Sequence, residues 1–143
     1  MEVLIVQKKL ILVVTAVALM VGTLMTGCGS DKPVNPLTPF QPQIINQTDD
    51  FAFQITNVQS LTTTVTYTWQ NTGTQASVDH STVLTNGSAN LIILDADGTQ
   101  VYSSPLVASG TDATATGTTG AWTIRVVMNG TDADQVNFRV QKQ

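Results

Sequence analysis

The stretch Leu61-Thr62-Thr63-Thr64-Val65-Thr66-Tyr67-Thr68-Trp69-Gln70 decides the fold class. Leu61, Thr63, Val65, Tyr67 and Trp69 fall on one parity; Thr62, Thr64, Thr66, Thr68 and Gln70 fall on the other. A period of two held over ten residues belongs to a strand with one face in a core and one in water. Threonine adds to this, because its branched side chain packs well on a pleated surface.

The same period recurs on both sides. Phe51, Phe53 and Ile55 alternate with Ala52, Gln54 and Thr56. Trp122, Ile124, Val126 and Met128 alternate with Thr123 and Arg125, and Val136, Phe138 and Val140 with Asn137, Arg139 and Gln141. Leu91-Ile92-Ile93-Leu94 is apolar on both parities and reads as a central strand. Turn residues fall between the runs at Asn71-Thr72-Gly73, Asn86-Gly87, Asp97-Gly98, 117–120 and Asn129-Gly130. About seven short strands with regular turns predict an all-β domain over 51–143, an antiparallel β-sandwich of immunoglobulin or jelly-roll type.

Two motifs carry a resemblance across this region. The hairpin Asp95-Ala96-Asp97-Gly98 and the strand Gly120-Ala121-Trp122-Thr123-Ile124-Arg125-Val126 are similar to those of pre-peptidase C-terminal domains and of fibronectin type III-like modules. The resemblance implies a module that binds, spaces or stabilises and does not catalyse.

The first 27 residues read differently. Lys8 and Lys9 precede an uncharged, mostly apolar run from Leu10 to Met25, the layout of a secretory signal. The run Leu24-Met25-Thr26-Gly27-Cys28 resembles the lipobox of bacterial lipoproteins, with Met25 where leucine is commonest. That resemblance implies cleavage between Gly27 and Cys28, a diacylglycerol on Cys28, and handling by the export and lipoprotein-processing machinery. Gly29 in place of aspartate implies the outer membrane where the host has one, and otherwise the outer face of the plasma membrane. Each buried methylene contributes about 0.8 kcal/mol, and two chains anchor stably where one does not. Such an anchor works without a basic patch.

Cys28 is the only cysteine, so no intramolecular disulfide forms. After it, Pro33, Pro36, Pro39 and Pro42 suit an extended spacer, and 28–50 is expected to be a flexible tether. From Cys28 onward nine aspartates face four basic residues (Lys32, Arg125, Arg139, Lys142), a net of about −5. So few cations cannot neutralise a phosphate backbone, which excludes nucleic acid.

Candidate chemistry is sparse. His80 is the only histidine, and in an extended segment Asp79, His80 and Ser81 point to alternate faces and cannot form a triad. Without a second histidine or a further cysteine a zinc site lacks ligands. Asp95 and Asp97 form part of a calcium-loop pattern, with Asp112, Asp132 or Asp134 as further candidates for a weak site, against the simpler reading of a tight hairpin. No other cofactor is expected. The threonine row Thr62, Thr64, Thr66 and Thr68 is a candidate contact surface for an envelope protein or glycan, with Tyr102 as a further contact residue. Trp122 shares the parity of Ile124 and Val126 and is expected in the core. The expectation is a lipid-anchored envelope protein with a non-catalytic interaction or structural module; the alternative is a carbohydrate-binding module for cell-wall or extracellular glycan.

Overall fold

The computed structural model describes residues 35–143. The signal segment, the Gly27–Cys28 junction and the lipidation site at Cys28 lie outside the described residues.

Seven strands form one antiparallel sheet: β1 (Gln43–Gln47), β2 (Asp50–Asn71), β3 (Ala76–Ser81), β4 (Val83–Leu94), β5 (Gln100–Pro105), β6 (Ser109–Ala113) and β7 (Gly120–Lys142). The all-β, antiparallel expectation holds. The way the sandwich is made was not expected. At about 3.3 Å per residue, a straight strand of 22 residues would run roughly 70 Å. Yet Asp49, before β2, donates its backbone N–H to the Gln70 carbonyl near the other end of that strand (2.8 Å). β2 is folded back on itself, and β7 follows it, pairing from Asp50↔Gln141 through Asn71↔Gly120.

The fold-back divides the sheet into two layers joined through β2, β7 and the start of β4. One layer runs β1-β2-β7-β3-β6. In the other, β4 lies beside residues 123–129 of β7 and carries β5 on its far side. The bend falls at one level in all three long strands, where the β2–β7 and β4–β7 registers slip. Asn57 and Ser60 adopt positive φ in β2 (53° and 49°), as do Gly87 in β4 (70°) and Gly130 in β7 (54°). Slipped register and left-handed residues are how a strand turns a corner without ending. Asn86-Gly87 and Asn129-Gly130, expected as turns, are therefore corners inside continuous strands.

Side chains staple the corner. Ser60 N–H donates to Asp132 Oδ1 (2.6 Å), Gly130 N–H to Thr62 Oγ1 (2.9 Å) and Thr131 Oγ1 to the Ser88 carbonyl (2.5 Å). Gly87 meets the β7 backbone so closely that a Cβ there would lie 2.1 Å from the Gly130 carbonyl oxygen.

Between the layers the expected parities meet. Phe51, Phe53, Ile55, Val136, Phe138 and Val140 from one layer are buried, as are Trp69, Trp122, Ile124, Val126, Leu91 and Ile93 from the other. Phe51 and Phe53 reach across to Tyr67, with ring centroids at 5.4 and 6.1 Å, and Trp69 meets its cross-strand neighbour Trp122 edge to face at 5.8 Å. Leu91 and Ile93 sit on a strand flanked by β5 and β7, the central position their apolar run predicts.

The expected tether gives way to structure well before residue 51. Pro36 to Phe40 make a turn ending in a short 3₁₀ segment, Thr38–Phe40, and Leu37 is fully buried. β1 then pairs with β2 from Gln43↔Gln54 to Gln47↔Asp50. Proline spacing indicates extended chain, and extended chain serves equally as spacer or as edge strand.

Candidate functional site

The strand parity that fills the core leaves two outer faces. On the layer containing β5, Thr64, Thr66 and Thr68 are exposed, and no side-chain hydrogen bond joins them to another described residue. Opposite Thr66 stands Arg125 of β7, and opposite Arg125 stands Ile92 of β4. Arg125 is half-buried and has no ion-pair partner among the described residues. Val127 and Leu94 lie on the same parity, also half-buried. The surface is a flat, half-apolar patch with one cation, edged by hydroxyls.

Two expected contributors stand apart from it. Thr62 spends its hydroxyl on the corner amide of Gly130. Tyr102 pairs in register with buried Ile93, so its ring faces inward. Its hydroxyl donates to Asp112 Oδ2 on β6 (2.9 Å), linking the two layers at their margin, and burial raises its pKa above the ordinary phenol value. Trp122 lies in the core, and its Nε1–H donates to the Thr118 carbonyl (2.7 Å).

The Asp95-Ala96-Asp97-Gly98 segment is a hairpin turn between β4 and β5. Asp95 is 5% exposed, and its carboxylate is filled by backbone donors. Oδ1 accepts from the amides of Asp97 (3.1 Å) and Thr99 (2.8 Å), and Oδ2 from Thr118 (2.9 Å). The Thr118 amide foremost, with those of Thr99 and Asp97, holds the carboxyl below its usual range. Asp97 accepts from the Thr118 hydroxyl (2.6 Å). Asp132 is engaged at the corner and Asp112 with Tyr102. Among the described residues no three acidic, histidine or cysteine side chains gather in a metal-binding group. Hydrogen bonds at the turn engage both aspartates.

The second outer face holds a depression that no motif announces. Asp79 and Ser81 of β3, Ser109 and Thr111 of β6, and Asn137 and Arg139 of β7 line it. Thr111 donates to Asp79 (2.6 Å), and Arg139 forms a two-pronged pair with Asp50 (2.8 and 2.7 Å), which lowers the Asp50 pKa. His80 borders the depression. Its Nδ1–H donates to the Ala108 carbonyl (2.7 Å), while Nε2 lies 3.8 Å from Asp112. Asp79 accepts from Thr111, and Ser81 from Ser109 (3.4 Å).

No protein-family model matches the chain. No curated protein matches it either. Several solved structures are similar to it. One is the carbohydrate-binding module CBM6cm-2 from Cellvibrio mixtus lichenase 5A in complex with cellotriose, with 12% identity over 72% of this chain and 86% of that one, TM-score 0.39. Another is a family 6 carbohydrate-binding module, with 22% identity over 71% and 82% of the two chains, TM-score 0.38. A third is the glycosylation-associated Gap123 complex from Streptococcus agalactiae, with 12% identity over 73% and 40%, TM-score 0.39. Similarity at this level leaves the function to the chain's own residues.

Proposed function

We propose that this chain is an exported, lipid-anchored envelope protein whose β-sandwich is a non-catalytic binding module, engaging its partner through the Thr64-Thr66-Thr68 and Arg125 face. The observation that supports it is the unsatisfied character of that face: three exposed threonines whose hydroxyls bond no other described residue, beside the half-buried Arg125, which has no carboxylate partner among the described residues. Interfaces combine a half-apolar centre with a polar rim and favour arginine over lysine. His80 is held through Nδ1 by the Ala108 carbonyl, the arrangement of a structural histidine.

Anchoring and binding are tested separately. Cys28→Ser should abolish fatty-acid labelling and release the protein from the membrane fraction; continued labelling would defeat the anchor. A photo-crosslinking residue at position 66 should capture one discrete envelope partner that Arg125→Glu loses. Capture that Arg125→Glu leaves unchanged would remove this face from the reading.

A second reading, glycan binding, draws on the other face. Hydroxyl and amide groups of Ser81, Ser109, Thr111 and Asn137 meet in one open depression, suited to a polyhydroxylated ligand. Loss of binding on a glycan array in Asn137→Ala, with Arg125→Glu unaffected, would favour it.

A further inference from the structure

A sheet edge left bare is a template for another strand, and proteins blunt their edges with charge, proline, bulges or cover. The edges of this sheet are unequal. β5 ends in Pro105 and is bulged between Ile93 and Leu94 of its partner. β6 carries Asp112 and Gly110. The later part of β2 is capped by donors to backbone carbonyls, Asn46 Nδ2 to Thr68 (2.9 Å) and the Asp49 amide to Gln70 (2.8 Å). Among the described residues, β1, Gln43-Ile44-Ile45-Asn46-Gln47, has none of these protections on its outer side. It carries no charge, proline or register slip, all five residues are exposed, and Ile44 and Ile45 are 38% and 49% exposed.

The geometry points to a second copy of this chain as the occupant of the β1 edge, paired antiparallel about a two-fold axis through Ile45. A two-fold interface needs a surface complementary to itself. Read in both directions from Ile45, β1 is nearly its own mirror: Gln43 opposes Gln47 of the other copy, Ile44 opposes Asn46, and Ile45 opposes Ile45. Opposed glutamines suit amide-to-amide hydrogen bonding, and the isoleucines give an apolar pair on the axis. β1 itself carries no charged residue, so no like charges meet along the ladder despite the acidic chain. Pro42, which lacks an N–H, sets the end of the ladder at Gln43. The five-stranded layer becomes a continuous ten-stranded sheet. A ladder this short buries less than the roughly 1,000 Å² of a stable complex, so the dimer is weak and concentration-dependent.

Oxidative crosslinking of the full-length protein in cells tests this, with the unaltered chain measuring any contribution of Cys28. Ile45→Cys should give a reducible homodimer that the unaltered chain and Val107→Cys, exposed elsewhere, do not. Gln43→Cys alone should crosslink poorly, since two such residues lie four positions apart in register, beyond disulfide reach. Coexpressed with Gln47→Cys it should crosslink, and adding Ile45→Lys to both chains should remove the band without lowering the melting temperature. Crosslinking of Ile45→Cys no better than Val107→Cys, or of Gln43→Cys as good as Ile45→Cys, would overturn the proposal.

Discussion

Asp95 organises the turn in which it sits. Its two oxygens accept three amide hydrogens, tying the β4–β5 hairpin to the segment that leads into β7. The backbone comes so close that a Cβ on Gly117 would lie 2.7 Å from Asp95 Cβ. Its folded pKa lies below the ordinary value, as do those of Asp49, held first by the Thr72 amide, and Asp50, held first by Arg139. A depressed folded pKa contributes stability that is present above the unfolded value, about 3.9, and is lost as pH falls through the folded one. The melting temperature should therefore drop below about pH 4. Asp95→Asn should melt lower at neutral pH and show a shallower acid dependence in a thermal titration. An equally steep one would assign the acid sensitivity to the other aspartates.

At the scale of elements the corner is the decisive feature. Gly87 and Gly130 both hold positive φ, yet a Cβ on Gly87 would strike backbone while one on Gly130 would meet nothing within 4 Å. Gly130→Ala should cost about 1–2 kcal/mol, the penalty of a left-handed alanine. Gly87→Ala adds a backbone clash and should cost about 3 kcal/mol or more. Urea denaturation of the two variants measures the difference; equal losses would mean that φ alone matters. The short segment before β1 is equally part of the fold. Leu37 is buried, so Leu37→Ala should destabilise by about 2–5 kcal/mol in the same measurement. A change near zero would restore that segment to the tether.

For the molecule as a whole, the two layers present outer faces of different character. One is flat, half-apolar and carries Arg125; the other is polar and indented around Asn137. Both Trp and all three Phe of the sheet are committed to the core, and both Tyr are half-buried. Any glycan bound at the depression is therefore held by hydrogen bonds rather than by stacking on an exposed tryptophan. Thr64→Lys with Thr66→Lys should abolish partner capture at the threonine face and leave the melting temperature unchanged, because both side chains stand in water. A lowered melting temperature would show that the threonines serve the sheet itself.

The sequence by itself determined what is local. Alternation at Leu61–Gln70 and in the runs around Trp122 and Phe138 assigned the strands and the inward residues, because side-chain direction in a strand depends only on parity. It also placed Thr64, Thr66 and Thr68 outside and Trp122 inside. Only the tertiary structure decided what depends on pairing between distant residues. Asn129-Gly130 has the composition of a hairpin turn, and only its register with β2 and β4 makes it a corner. Thr62 has the parity of a surface residue, and only Gly130 opposite it gives its hydroxyl a structural partner. The depression brings together β3, β6 and β7, whose nearness no spacing along the chain encodes. Parity is a property of neighbours in sequence; corners, sites and edges are properties of neighbours in space.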